Sequence, residues 1–253
     1  SLDMAIQKGL LISDVGNNFK LSYEKKREIL RNNIWGVDID ILAVEVAKFS
    51  LLIKLIEDSS LYEMESFAKN NNCRILPSLD NNIKNGNSLV DEKYIEFNSN
   101  ILNDPEMVEK IKIFNWENEF AGEKFDAIVG NPPYIRVQNM VHFSENEYEY
   151  YKSEVSKYET AKSDLLDKYF LFMEKGLQLL KPKGKMGYII PHKFMLIKSG
   201  TSLRKLLSEK KYVKQIIHFG TEQVFKGRST YTCLLFIEKK ERKTFEIGFV
   251  KDI

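Results

Sequence analysis

Two periodicities of apolar positions alternate along the chain, and together they predict its secondary structure. Short apolar runs bounded by turn residues predict strands, whereas apolar residues three or four positions apart predict helices. Residues 41–57 show the helical spacing through Leu42, Val46, Phe49 and Ile53. The segments that predict strands are NNIWGVDID (32–40), NNIKNGNSL (81–89), FDAIVG (125–130), KMGYIIP (185–191), VKQIIHF (213–219), TYTCLLFIE (230–238) and FEIGFV (245–250).

This alternation of strand-like and helix-like segments predicts the fold class. It is typical of an α/β domain built on a mostly parallel sheet. A second helix is predicted over residues 167–181, ended by Pro182 and Gly184, and it leads into the KMGYIIP strand. The FDAIVG run predicts a buried strand, because it is apolar over most of its length.

The composition excludes several classes of protein. Of 253 residues, 43% are hydrophobic and 29% are charged, which is ordinary for a globular chain. No apolar run approaches the roughly 18 residues of a membrane span, and no signal peptide is visible. Cys73 and Cys233 stand far apart and form no ligand pattern with the three histidines. We therefore expect no metal site and a reducing, cytoplasmic compartment.

Charge is distributed unevenly although the net charge is only +2. Residues 1–172 carry 20 basic and 29 acidic side chains, whereas residues 173–253 carry 18 and 7. A basic C-terminal third beside an acidic body suggests a face for a polyanion such as nucleic acid. A solvated lysine-rich surface explains the same asymmetry equally well.

The turn Asn131-Pro132-Pro133-Tyr134 follows the FDAIVG strand. In open α/β sheets, ligands bind beyond the carboxyl ends of the strands. Prolines stiffen this turn and remove N–H donors, so the Asn131 side-chain carbonyl and the Pro132 backbone carbonyl can both accept hydrogen bonds from one NH2 group. Two such acceptors stabilise the positive charge that develops when an amine is alkylated, and Tyr134 offers a face for stacking. A turn in which Asn131 only caps its own backbone is the simpler alternative.

A polar, tyrosine-rich segment, Val141–Ser163, comes shortly after this turn. Loops at the carboxyl edge of such sheets carry function, which favours a substrate-facing insertion that acts as a lid. A surface helix without a role in binding is the alternative.

Five stretches together resemble one family, the N6-adenine DNA methyltransferases, and in particular the methyltransferase portion of type IIG restriction–modification enzymes. The stretches occur in the family's order over most of the chain: NNIWGVDIDILAVEVAK, NGNSL, GNPPYIRVQ, DKYFLFMEKGLQLLKPKGKMGYIIPHKFM and VFKGRSTYTCLLFI. The resemblance implies a Rossmann-like fold that uses S-adenosylmethionine, and a site-specific methyltransferase that acts on adenine N6 in double-stranded DNA. The NPPY motif alone is shared by several methyltransferase classes, but the five stretches together are specific.

The resemblance implies cofactor-binding roles for four residues. Asp38 accepts hydrogen bonds from the ribose hydroxyls, while Asp40 serves as the N-cap of the next helix. Asn87 meets the adenine amino group of the cofactor, although many relatives carry Asp at this position, which implies a weaker bond. Phe172 lies against the same adenine, or alternatively packs in the core. Pro133 packs near the cofactor.

The resemblance also assigns the residues that contact DNA. Asn131 and Pro132 hold the target amine, and Tyr134 and Phe225 stack on the two faces of the target base. The base must leave the duplex for this, because N6 is otherwise paired. Lys226 and Arg228 hold phosphates, and binding to DNA is expected to weaken steeply with salt.

One feature of the family is missing from the sequence. There is no GxG motif for the glycine-rich turn after the first strand, so we expect a single methyltransferase domain (1–253) truncated at its N-terminus. We accordingly expect weak S-adenosylmethionine binding or none, and a target-recognition domain beyond residue 253. Two other functions remain open: a methyltransferase acting on protein glutamine or RNA adenine, and a non-catalytic DNA-binding or assembly module.

Overall fold

Two structural units make up the chain, Ser1–Ser88 and Leu89–Ile253. The computed structural model describes residues 2–13, 19–136, 139, 144–162, 166–220, 224 and 230–250. Across these ranges, no helix combines the length and the apolar character that crossing a bilayer requires.

Over its described residues, the first unit combines an antiparallel pair of strands, a parallel pair of strands and four helices. Its elements in chain order are α1 (Leu2–Gln7), β1 (Leu11–Ser13), β2 (Phe19–Leu21), α2 (Tyr23–Asn33), β3 (Gly36–Asp38), α3 (Ile41–Ile56), α4 (Leu61–Asn70) and β4 (Ile83–Asn85). Strands β3 and β4 pair in parallel and place Asp38 opposite Asn85. Tyr23, Leu30, Leu55 and Leu79 form the buried core of this unit.

Helix α3 forms where the apolar spacing predicts it, but that apolar stripe is exposed. Leu42, Val46 and Phe49 expose 71%, 64% and 65% of their surface. The helix instead buries Val44 and Leu55, which lie on its opposite side. The spacing thus predicted the element correctly without indicating which side of it packs.

The second unit is built on a five-stranded sheet. Its elements are α5 (Lys93–Phe97), α6 (Pro105–Ile111), α7 (Trp116–Glu119), β5 (Phe125–Gly130), α8 (Glu145–Lys152), α9 (Lys168–Leu179), β6 (Leu180–Pro191), α10 (Thr201–Lys210), β7 (Val213–His218), β8 (Thr232–Glu238) and β9 (Glu246–Phe249). The strand order is β5-β6-β8-β7-β9. Four strands run in one direction and β8 runs against them, because β8 pairs antiparallel with both β6 and β7. The α/β prediction is confirmed, and the sheet is mixed, because two of its four strand pairings are antiparallel.

Two details of the predicted elements are wrong. Strand β5 is not buried: Val129 exposes 86% of its surface, because β5 lies at an edge of its sheet and pairs with β6 alone among the described strands. The boundary near residue 182 also differs. Helix α9 ends at Leu179, and β6 runs through Pro182 and Gly184 instead of starting after them.

The segment after the NPPY turn is tied to the core over its described residues 144–162. Tyr150, Tyr151 and Tyr158 are buried, and the Tyr158 hydroxyl donates a hydrogen bond to the Leu89 carbonyl at 2.8 Å. Glu174 of α9 accepts hydrogen bonds from the backbone of the short 3-10 helix Glu159–Lys162. These residues are therefore part of the packed structure of the second unit, and whether the segment faces substrate stays a prediction.

Candidate active site

The NPPY turn leaves the carboxyl end of β5 and is held by its own tyrosine. The Tyr134 hydroxyl lies 2.6 Å from Asn131 Oδ1 and 3.0 Å from the Ile189 backbone carbonyl of β6, two acceptors that share its one proton. Asn131 and Pro133 are exposed, whereas Pro132 is buried. The Asn131 carbonyl is thus an exposed acceptor that is already positioned by a hydrogen bond.

Tyr134 is supported from the side by a second tyrosine that the sequence did not reveal. The Tyr169 ring meets the Tyr134 ring edge to face, with centroids 6.3 Å apart. Burial, together with the neighbouring Cys233 thiol, raises the pKa of Tyr134 to about 12. Its phenol therefore stays protonated near neutral pH and remains a donor to Asn131. Tyr169 gave no signal in the sequence, because a tyrosine on an amphipathic helix is ordinary core composition.

The two residues after the NPPY turn pair with the start of α9 through backbone hydrogen bonds. The Lys168 backbone N–H donates to the Ile135 carbonyl at 2.8 Å, and Arg136 forms an isolated β-bridge with Asp167. Asp167 is buried, and its carboxylate lies 3.5 Å from the Lys193 ammonium just beyond β6. A buried carboxylate needs such a partner, so this ion pair helps to position the turn between α9 and β6.

Replacing Tyr134 separates the contribution of its hydroxyl from that of its ring. We expect Tyr134→Phe to keep the methyl-transfer rate within a few-fold of wild type, because the ring remains and the amine itself can satisfy the Asn131 carbonyl. Tyr134→Ala removes the ring as well, and DNA affinity should fall by roughly 5- to 150-fold, the range for one base–aromatic stack. Initial rates and fluorescence anisotropy with the same duplex measure both effects. Equal losses in the two variants would contradict a stacking role.

In the first unit, the structure places Asp38 and Asn87 near the carboxyl ends of paired strands. Asp38 ends β3 with an exposed side chain whose Oδ1 accepts the Asp40 N–H at 2.8 Å. Asp40 is the N-cap of α3, as predicted, and accepts the Leu42 N–H at 2.9 Å. Asn87 is buried two residues beyond β4. An exposed carboxylate and a buried amide suit a ribose diol and an adenine edge, so these residues fit the cofactor roles expected of them.

The other predicted residues divide between the second unit and undescribed segments. Phe172 lies on α9, half-buried and packed against the core of its unit. Phe225, Lys226 and Arg228 lie outside the described residues. Among the described ranges, no group of three or more His, Cys, Asp or Glu side chains is placed to hold a metal ion.

Buried polar atoms without partners gather at the carboxyl edge of the sheet. Tyr169 Oη, His192 Nδ1 and Thr232 Oγ1 are buried and have no hydrogen-bond partner among the described residues. Thr232 pairs with Pro191, the residue before His192, so two of these atoms belong to adjacent positions. Because buried polar atoms are nearly always partnered, these three atoms have a hydrogen-bonding capacity that the described residues do not use.

A cavity of about 340 Å³ lies at the other end of the strands. Its lining includes Lys124 and Leu179, which precede β5 and β6, whereas Asn131 follows the carboxyl end of β5. Burial lowers the pKa of Lys175 in its wall, and the Asp91 carboxylate at 3.7 Å opposes that shift. The cavity is thus separate from the predicted site.

The chain has an α/β fold built on a mixed five-stranded sheet, with the NPPY turn at the carboxyl end of β5. A cryo-EM structure of a DrdV–DNA complex shares the fold over 92% of this chain, with a TM-score of 0.55 at 15% identity, and the match covers 23% of that chain.

The chain belongs to the Eco57I restriction-modification methylase family, which it matches over residues 32–225. It is 42% identical over 237 residues to the type II restriction enzyme and methyltransferase RM.Eco57I of Escherichia coli, covering 93% of this chain and 22% of that protein. It is 27% identical over 174 residues to the type II methyltransferase M.HincII of Haemophilus influenzae, covering 67% and 33% respectively. The chain thus spans about a fifth to a third of the length of these relatives, and the resemblance seen in the sequence is confirmed.

Proposed function

We propose that the polypeptide containing this chain transfers a methyl group from S-adenosylmethionine to adenine N6 in double-stranded DNA, as part of a restriction–modification system. The observation that carries the proposal is the Asn131 carbonyl, exposed at the carboxyl end of β5 and positioned by the Tyr134 hydroxyl at 2.6 Å. Family membership supports methyl transfer within such a system.

The chemistry at Asn131 follows from the weakness of the nucleophile. The lone pair of adenine N6 is delocalised into the ring, so the amine must be drawn toward a tetrahedral geometry before it attacks. The Asn131 side-chain carbonyl and the Pro132 backbone carbonyl accept its two N–H groups and stabilise the positive charge that develops on nitrogen. The proton then leaves to solvent, so no strong general base is needed. Tyr134 stays neutral throughout because of its raised pKa.

The cofactor is S-adenosylmethionine, which supplies an electrophilic methyl group when it is bound. Asp38 would accept from its ribose hydroxyls and Asn87 would contact its adenine, with Pro133 and Phe172 as further contacts. The exposed Asp38 carboxylate supports the first of these roles. The weak affinity expected from the sequence is part of the proposal, and a calorimetric titration that gave a micromolar Kd would overturn that part alone.

Access to N6 requires that the target adenine leave the duplex. Tyr134 would provide one stacking face, and Phe225 is assigned the other on the basis of sequence resemblance. Lys226 and Arg228 would contact phosphates near the flipped base. The basic C-terminal third would add sequence-independent attraction to DNA that weakens as salt is raised. The reaction would take place in the cytoplasm.

Transfer of a labelled methyl group tests the proposal. Unmethylated duplex DNA, structured RNA and a glutamine-containing protein substrate are each incubated with the full-length polypeptide that contains this chain and with labelled S-adenosylmethionine, and the DNA is then digested to nucleosides. We expect label on DNA alone, recovered as N6-methyl-2′-deoxyadenosine. Label on cytosine N4 would overturn the choice of base, and label on RNA or protein would overturn DNA as the substrate. Failure to label any substrate would favour the non-catalytic module.

A further inference from the structure

A row of aromatic rings crosses the carboxyl edge of the five-stranded sheet. His192 follows β6, Tyr231 precedes the antiparallel β8, His218 ends β7 and Phe249 ends β9. Because β8 runs against its neighbours, its amino end meets their carboxyl ends, which brings all four residues to the edge that carries the NPPY turn. The proposed function uses none of these four rings.

Three of the rings form a nearly parallel column. The His192 and His218 rings stack with centroids 4.4 Å apart and planes 18° apart. The His192 ring also lies 5.9 Å from the Tyr231 ring, with planes only 9° apart. The Tyr231–His192–His218 column therefore presents flat faces in one common orientation, with Phe249 tilted at 45° beside His218.

The backbone holds this column in place. The His192 N–H donates to the Tyr231 carbonyl at 3.1 Å, so these two residues extend the pairing of β6 with β8. The Gly220 N–H donates to His218 Nδ1 at 2.7 Å, which fixes the orientation of this ring. A rigid platform loses little conformational entropy when a ligand stacks on it.

The column is accessible and apolar enough to bind a planar ligand. Tyr231 exposes 39% of its surface and Phe249 exposes 70%. Burial lowers the pKa of His192, and the neighbouring His218 lowers it further, so the middle ring is neutral at physiological pH. Stacked rings that include an accessible tyrosine resemble the aromatic platforms on which single-stranded bases stack.

The column also lies close to the NPPY turn. The Tyr134 hydroxyl is 3.0 Å from the Ile189 carbonyl, and His192 is three residues further along the same chain. Three residues of strand span roughly 10 Å, which is the scale of a few nucleotides of a DNA strand. A strand whose adenine stood at Asn131 would carry its neighbouring nucleotides past this edge.

We propose that the Tyr231–His192–His218 column is a second base-stacking platform, which binds an unstacked nucleobase next to the flipped target through the exposed face of Tyr231. This inference rests on the proposed function, since it requires DNA with a displaced target base. The platform compensates for part of the stacking lost beside the target, without reading base identity, because every base has a π-face.

The test uses a fluorescein-labelled duplex in which one adenine faces an abasic site, which lowers the cost of flipping. We expect Tyr231→Ala to weaken binding by about 5- to 150-fold, and Tyr231→Phe to stay near wild type. Tyr62→Ala is the matched control, because Tyr62 is 82% exposed in the other unit. The slope of log affinity against log salt should not change in Tyr231→Ala, since stacking releases no counterions.

A photochemical cross-linking experiment locates the base that stacks on the column. With 5-iodouracil placed one or two positions from the target, irradiation should cross-link the DNA to Tyr231 or His192, as identified by mass spectrometry. Wild-type affinity and salt slope in Tyr231→Ala, together with no cross-link at the column, would overturn the platform while DNA methylation persisted. A changed salt slope would instead assign Tyr231 to backbone contact and also overturn it. Absence of DNA binding by the wild-type protein would overturn both proposals.

Discussion

Asn131→Ala should lower the rate of methyl transfer by roughly 10²- to 10³-fold, the loss seen when one group that stabilises transition-state charge is removed. The side-chain carbonyl is one of two acceptors for the target amine, and the remaining Pro132 carbonyl cannot replace it. Folding should be unaffected, because Asn131 is exposed and the Tyr134 hydroxyl retains the Ile189 carbonyl as its acceptor. Initial rates with labelled cofactor measure the loss.

Two further variants test whether the loss of rate is specific to the Asn131 side-chain carbonyl. Asn131→Asp keeps an acceptor oxygen at the same position, so its rate should lie between those of wild type and Asn131→Ala. Asn100→Ala removes an exposed asparagine from the 3-10 helix Ser99–Asn103 and should leave the rate unchanged. If Asn131→Ala kept more than a tenth of the wild-type rate, the amine would have to be held by other groups.

Glu174→Ala should lower the free energy of unfolding by roughly 3–5 kcal/mol, as expected when a buried carboxylate is removed from its partners. Glu174 is buried on α9 and accepts three hydrogen bonds of 2.8–2.9 Å, from the Glu159 N–H, the Thr160 N–H and the Thr160 hydroxyl. Alanine would leave all three donors unpaired in a region where Thr160 is also buried. Urea unfolding followed by circular dichroism gives the change.

The control for this variant lies one turn further along the same helix. Gln178 is exposed, and Gln178→Ala should change the free energy of unfolding by less than about 0.5 kcal/mol. Glu174→Gln should lower the free energy of unfolding less than Glu174→Ala does, because one carboxamide oxygen still accepts.

Since Glu174 holds residues 159–160 against α9 by hydrogen bonds, limited proteolysis of Glu174→Ala should cut first within 144–162. If Glu174→Ala lowered the free energy of unfolding by less than 1 kcal/mol, the hydrogen bonds to Glu174 would not be what holds residues 144–162 in place.

Apolar periodicity determined the order of the elements because it depends on local spacing alone. It located α3, β5, β7 and β8, and the capping role of Asp40 followed from its position before an apolar run. Periodicity did not determine burial. The stripe of α3 and residue Val129 of β5 are exposed, because burial depends on which neighbours an element acquires. The β6 boundary was misplaced because Pro182 and Gly184, ordinary helix stops, lie inside a strand here.

By itself, the sequence predicted the chemistry of the candidate site: an amide, two prolines and an aromatic ring at the end of a strand, a motif that several methyltransferase classes share and that resembles one family only together with four further stretches. Only the tertiary structure decided which groups support them. The Tyr134–Asn131 hydrogen bond is local, but the edge contact from Tyr169 and the column of Tyr231, His192 and His218 join residues 26 to 39 positions apart. No local pattern encodes such contacts, because they arise where a reversed strand and its parallel neighbours end at one edge of a sheet.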